Sequence, residues 1–541
     1  MPKLSKKTVF ETMQTEAGRL FSVKPLEKFS LQYIADSIKL FDTTKINIVN
    51  GSVSSIKKEN DNELRASALI GSEKIGGFDN ATQWGVPLEN SRSALANAIW
   101  QTNDEAIKAS YKRYMELKGG NIYKKRKEID ILSKERHAVD ITGSEFENVD
   151  LDRIVDHLKG VTKELTKCEI VSDVDAEVKL ENVERFFFCA ESESFNKNSE
   201  STKIRTVEQF IKIRLTANAY DNEGEIGTTE RMYVKRYSQV KFDELNQWRR
   251  SIIGILKEKK NCRIQETGVY PVLADGETVG VIMHEGIGHL LEAHRVQADD
   301  EGGTFRDKIG KIILPKFISV YSDPTIKNAY GSYGYDDEGI PAQRTCLIKN
   351  GMLMTYLYSR LTAGKEGILS NGSARADRAY NGSDMEYEGD GIPVPRMSNL
   401  VVESAKKYSL NNLKQHLIDL IKAQNAPYAL YCRRLDHGSV STDKGHNEIH
   451  PADTYRIYLD GHEERVRGVY IISTPYDLVN GIIACGGKQE HSFGYCGAES
   501  GMVPTTEIAP TAILRKVEFA RENRRNKVEP MLPKPHVNGR L

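Results

Sequence analysis

Two histidines, a glutamate and two glycines stand together at residues 284–289, HEGIGH. These types suit hydrolysis at a metal ion: neutral imidazoles ligate zinc-like cations, and a carboxylate beside one of them can take a proton from water. The spacing is unusual. In H-E-x-x-H the two histidines share one side of an α-helix because they are four residues apart. Here His284 and His289 are five apart, about 140° around the axis at roughly 3.6 residues per turn. A local π-type turn closes its hydrogen bond over five residues and brings both rings to one side, and such bulges concentrate at functional sites. Gly286 and Gly288 tolerate a distorted turn, although glycine is a costly choice in a helix interior. Taken alone, the hexapeptide more often means two core histidines bonded to backbone carbonyls. Glu292 and His294 follow closely, each a candidate for ligand, supporting partner or ion pair.

The segment GETVGVIMHEGIGHLLEAHRV is apolar around much of its circumference, which predicts a buried helix over about 277–296. Two histidines and two glutamates on a buried helix need partners, because lone buried charges are costly. Upstream, an amphipathic helix opens the chain, and KINIVNGSVSSI predicts a hairpin about Asn50-Gly51. ELRASALIGSEKIGGF reads as a second strand pair, and helices follow over 91–117 and from Asp150. Alternating segments between about 175 and 240 predict antiparallel sheet. Leu245, Trp248, Ile252, Ile255 and Leu256 then mark one face of a helix. Downstream of the histidines, strand-and-turn sequence dominates, with turns at Asn350-Gly351 and Asp460-Gly461 and one helix near 410–423. The expected fold is α+β: an N-terminal helix-and-hairpin domain over 1–260, then a mostly antiparallel β domain over 261–541 that carries the histidine helix.

A chain of 541 residues exceeds one compact core. Its 76 Lys+Arg balance 76 Asp+Glu, so nothing steers it as a whole to nucleic acid or an anionic membrane. Seven scattered cysteines without a C-x-x-C pair argue against a disulfide framework and for a reducing compartment. The opening residues hold no apolar core of a signal peptide, and no apolar run reaches the length of a membrane span. These features predict a soluble, cytoplasmic protein.

MHEGIGHLLEAH resembles the HExxxGHxLE segment of the TldD/PmbA metallopeptidases. The likeness continues in order through YSDPTIKNAYGSYGYDDEGIPAQRTCLIKNGMLMTYLYSR, SNGSARA, PVPRMSN and FGYCGAESGMVPTTEIAPTAIL, five blocks across 280–514. The resemblance implies that His284 and His289 bind the metal, that Glu285 is the catalytic base, and that Cys496 completes the site. The intact motif is similar to the catalytic TldD-type subunit rather than the partner type that lacks it. It also implies one divalent ion per subunit, zinc first with iron compatible, and a dimer enclosing the site, either of two copies or with a related subunit. Peptides or unfolded proteins are the implied substrates. Two imidazoles and a thiolate leave a tetrahedral ion one open position, the pattern of a catalytic site. The surrounding FGYCGAESG reads as a Gly-rich turn. His294 stands where relatives carry an acidic residue, and the stretch before PVPRM is longer than usual.

Other polar groups carry less. Asp336, Asp337 and Glu338 read as a turn or a substrate-binding rim before a calcium-like cluster. His437, His446 and His450 lie in a Gly/Ser/Asp-rich segment read as a loop, which fits the edge of a cavity better than a second metal site. Arg375 and Arg396 could hold a substrate carboxylate, but ion pairs are the simpler reading. Two function classes stand: a metal-dependent peptidase, and a non-enzymatic protein-binding modulator whose metal is structural. Glu285 favours the enzyme, since a structural site needs no base.

Overall fold

In a computed structural model, the structure describes residues 4–22, 30–71, 76–88, 91–119, 130–141, 145–221, 224–298, 303–377, 391–441 and 446–522. The architecture is α+β and is built on two large sheets. The first has seven strands drawn from residues 31–234, the second twelve drawn from 263–521.

The first sheet is a meander of long strands. Leu31–Val49 pairs antiparallel with Ser52–Gly71 on one side and with Asp173–Glu191 on the other, and Thr202–Asp221 and Gly224–Val234 follow. The Asn50-Gly51 turn closes the first hairpin with both residues at positive φ, 50° and 87°, as a tight two-residue turn requires. Ser52–Gly71 is one continuous strand, so the two segments expected as separate pairs share it.

Alternation puts one face of this sheet under helices. Lys6–Ser22 and Arg92–Gly119 cover Ile34, Ile38, Ala66 and Phe186. Leu151–Thr166, capped by Asp150, and Phe242–Asn261 cover Ile46, Val178, Ile211 and Ile213. The stripe Leu245, Trp248, Ile252, Ile255 and Leu256 is the buried face of the latter helix.

The opposite face meets the C-terminal half. There Phe187 and Ile204 lie against Gly339, and the turn that carries Asp336, Asp337 and Glu338 is seated on the sheet. Asp336 accepts the backbone N–H groups of Glu338, Ile340 and Ala374, so this aspartate shapes a turn. Asp337 pairs with Lys39 at 3.0 Å and Arg185 at 2.6 Å. Burial alone would raise the Asp337 carboxyl, but Lys39 and Arg185 hold it well below the usual carboxylate range.

Removing one member of such a buried cluster leaves the others uncompensated, so Asp337→Ala is expected to destabilise the protein by about 3–5 kcal/mol. The sign with pH follows from the depressed pKa: the contribution is complete near neutrality and drains as the pH falls below about 5. Denaturant titrations of both proteins at pH 7 and pH 3.5 check this. An Asp337→Ala midpoint equal to wild type at pH 7 contradicts it.

The second sheet is mixed and mostly antiparallel, with three parallel pairings. Its long strand Gly501–Arg521 pairs with Ile482–Ala498, Gly268–Ala274 and Val469–Ser473, and at one end with Asn399–Ser404. The helix Leu410–Gln424 covers Leu273, Tyr431 and Ile513, and the histidine segment packs over the other face. No helix among the described residues is long and apolar enough to cross a membrane.

Candidate metal centre

The helix expected over 277–296 is not continuous. Asp275 caps it by accepting from the Thr278 N–H, and regular α-helix runs over Gly276–Met283. His284–Gly288 is a π turn, in which the His289 N–H donates to the His284 carbonyl. A 3₁₀ turn follows over His289–Leu291. Glu292 then becomes extended, with φ −74° and ψ 116°, and bridges to Leu357 before a last helical turn, Ala293–Gln297. The break has a cause: the Leu357 N–H donates to the Leu291 carbonyl and the Ala293 N–H to the Leu357 carbonyl, so a neighbouring segment replaces the helix's own bonds.

The π turn does for a five-residue spacing what an α-turn does for four. The His284 and His289 rings stand 4.9 Å apart at 78° to each other, with both Nε2 atoms directed at Cys496 Sγ, at 3.2 and 3.3 Å. The donor atoms of the three side chains all lie within 4.8 Å of one another, and all three residues are buried. Cys496 is not in a turn, as its glycine-rich surroundings suggested. It lies on strand Ile482–Ala498, paired with Val503, and the turn comes after it.

Glycines set the approach of these elements by removing atoms. A Cβ at Gly280 would lie 2.6 Å from Glu507 Cβ, and one at Gly288 would lie 1.9 Å from Met397 Sδ. Gly288 itself has ordinary helical φ and ψ, −55° and −57°, so space rather than conformational freedom requires glycine there. Gly276, Gly280 and His284 recur every fourth residue on the helix face against strand Gly501–Arg521, and Glu507 of that strand reaches His284.

The outer nitrogens of both rings are held by carboxylates. His284 Nδ1 lies 2.8 Å from Glu507 Oε1, and His289 Nδ1 lies 3.2 Å from Glu292 Oε2. A carboxylate at Nδ1 fixes that nitrogen as the protonated one and leaves the Nε2 lone pair for a metal. Burial works against charge on both imidazoles, but the Cys496 thiolate and the two carboxylates raise them, His289 to about 10. Burial likewise works against the thiolate, yet Arg396, His289 and His284 hold the Cys496 thiol well below its usual value. A thiolate and two oriented imidazoles within one small buried volume are a donor set that fits a tetrahedral transition-metal ion.

Glu285 is buried beside this group, with Oε2 3.9 Å from His289 Nε2. Burial pushes its carboxyl up, against the pull of the two histidines. Strand Ala429–Ser441 passes close by: a Cβ on Gly438 would lie 3.6 Å from Glu285 Oε1.

Glu292 and His294, the other candidates beside the histidines, are engaged in contacts of their own. Glu292 spends its carboxylate on His289 and Arg295, and His294 pairs with Glu499. Arg396 is fully buried and faces Glu292 at 3.7 Å, while Arg375 donates to the Met397 carbonyl and lies over the Tyr333 ring. The loop expected at His437, His446 and His450 is instead two paired strands, Ala429–Ser441 and His446–Ile457; His450 stacks on Tyr470, and the side chains of His437 and His446 lie outside the described residues. Glu507, 2.8 Å from His284 Nδ1, is the neighbour of this group that sequence reasoning missed. The Gly276–Gly280–His284 interval was a usable signal, since small residues at that spacing mark close contact between a helix and whatever it packs on.

Residues 267–521 match the PmbA/TldA metallopeptidase C-terminal domain. A metalloprotease of Methanocaldococcus jannaschii is 31% identical over 237 residues, 44% of this chain and 48% of that protein. The metalloprotease TldD homolog of Buchnera aphidicola (from Acyrthosiphon pisum) is 27% identical over 264 residues, 48% of this chain and 50% of that one. This chain therefore spans about half the length of these relatives. Among solved structures, a Thermotoga maritima protein described as a candidate modulator of a DNA gyrase superposes with a TM-score of 0.64 at 15% identity, covering 94% of this chain and 99% of that one. That similarity establishes a shared fold. The C-terminal half of this α+β chain is therefore similar to the C-terminal domain of the PmbA/TldA metallopeptidases, and the named relatives are metalloproteases and TldD homologs.

Proposed function

We propose that this protein is a metal-dependent peptidase acting on short or unfolded peptides, with His284, His289 and Cys496 as metal ligands and Glu285 as general base. One observation carries the reading: two oriented Nε2 atoms and one cysteine sulfur converge among buried residues, and a carboxylate that is not among the donors lies beside them. The relatives named metalloproteases support it. Zinc suits a His₂Cys set, and iron is compatible.

An ion held there supplies Lewis acidity, which lowers the pKa of water and polarises a carbonyl. The protein's own groups do the rest. Glu507 and Glu292 keep the imidazoles in one tautomer and one orientation. Glu285 takes the proton of the attacking water and returns it to the leaving amine; a carboxyl raised by burial is better matched to that exchange than an exposed one. A purely structural metal leaves Glu285 buried without a task, a costly arrangement. The site belongs to a C-terminal metallopeptidase domain beginning near residue 261. A dimer, of two copies or with a related subunit, encloses it and admits extended chains.

Elemental analysis of protein purified without added metal, paired with digestion of a peptide mixture, tests the proposal. The expected result is about one ion per chain and cleavage that a chelator stops and zinc restores. Protein that carries its metal and cleaves no peptide supports the modulator reading instead.

A further inference from the structure

Arg396 is the largest fully buried side chain of the described residues, and a buried guanidinium needs acceptors and counter-charge. Its acceptors are concentrated in one place. Nη2 donates to the Cys496 carbonyl at 2.6 Å, and Nη1 donates to Ser500 Oγ at 2.8 Å and to the Gly501 carbonyl at 3.1 Å. All three belong to the end of the hairpin that carries Cys496. The remaining nitrogen, Nε, faces Glu292 Oε1 at 3.7 Å. Among the described residues, neither of those two atoms has a hydrogen bond elsewhere. Glu292 uses its other oxygen to hold His289 and to accept from Arg295 Nε at 2.9 Å. One planar group thus touches the backbone of Cys496 on one edge and the carboxylate that orients His289 on the other.

We propose that Arg396 is a positioning residue for the metal site, setting the separation of Cys496 from His289 by gripping the Cys496 carbonyl and facing the Glu292 carboxylate at once. The inference rests on the proposed His/His/Cys site. The side chain suits the task because its donors are fixed in one plane, so the two contacts cannot drift independently. A lysine keeps the charge but presents a single ammonium on a flexible stem, which cannot span both edges. The competing role is packing alone, in which Arg396 closes the turn at Ser500 and Gly501 and the ligands hold themselves.

Cobalt(II) distinguishes these roles, because a ligating thiolate gives cobalt an intense charge-transfer absorption. Arg396→Lys is expected to weaken cobalt and zinc binding, measured by chelator competition, by about 10- to 100-fold, as loss of an outer partner does. The thiolate-to-cobalt band should shift or weaken with it. Ser500→Ala removes one acceptor of the same guanidinium without touching a ligand and is expected to weaken both ions in the same direction. An Arg396→Lys protein that melts earlier yet binds both ions with wild-type affinity and an unchanged band overturns the proposal. If that variant does not fold, wild-type affinity in Ser500→Ala overturns it. Wild-type protein that binds cobalt with no thiolate band contradicts the site itself, a failure distinct from that of Arg396.

Discussion

Glu285→Gln is expected to keep its metal and to lose peptide hydrolysis by about 10²- to 10⁴-fold in kcat, the range that general acid–base groups contribute. The substitution preserves shape and removes only the capacity to accept a proton. Metal retention is expected because Glu285 is outside the group of three convergent donors, with its nearest oxygen 3.9 Å from His289 Nε2. Folding should not suffer, since an amide is cheaper to bury than a carboxylate. Metal content and initial rates measured on the same preparation separate the possibilities. Turnover equal to wild type removes Glu285 from the mechanism, and joint loss of metal and activity makes it a ligand.

Much of the fold could be read from local pattern. Asn50-Gly51, Asn350-Gly351 and the stripe from Leu245 to Leu256 each depend on residues close in sequence, where turn chemistry and helical periodicity act directly. The π turn was also legible, because a five-residue spacing with a shared purpose admits few geometries. The break at Glu292 was not. It depends on Leu357, far along the chain, supplying the backbone bonds that the helix gives up. Cys496 is singled out only by its likeness to a family block; its glycine-rich setting suggested a turn, whereas pairing with Val503 places it in a strand. Glu507 is distant in sequence like Leu357. Gly276 and Gly280 signal that one helix face is closely approached but not by what, and only the packing of Gly280 on that strand brings the Glu507 carboxylate to His284. The ion pairs expected of Arg375 and Arg396 divide: Arg396 faces Glu292, whereas Arg375 donates to the Met397 carbonyl, and charge alone does not point to the Cys496 carbonyl as a further partner of Arg396.

Cys496→Ala is expected to lose both stoichiometric metal and activity, whereas Cys485→Ala and His294→Ala retain them. The two cysteines share a strand and differ in surroundings. Burial pushes the Cys485 thiol up to about 11, with only a modest opposing bond from Ser404, while Cys496 is held as a thiolate by Arg396 and the two histidines. His294 is engaged by Glu499. With Cys496 gone, two imidazoles alone hold the ion, fewer protein ligands than a catalytic zinc site uses. Elemental analysis of the three variants after dialysis gives the comparison. The most direct measurement is X-ray absorption at the metal edge of the wild-type protein. The account predicts a shell with one sulfur at about 2.3 Å and two imidazole nitrogens at about 2.0–2.1 Å. A shell of nitrogen and oxygen with no sulfur contradicts it and gives the third position to a carboxylate.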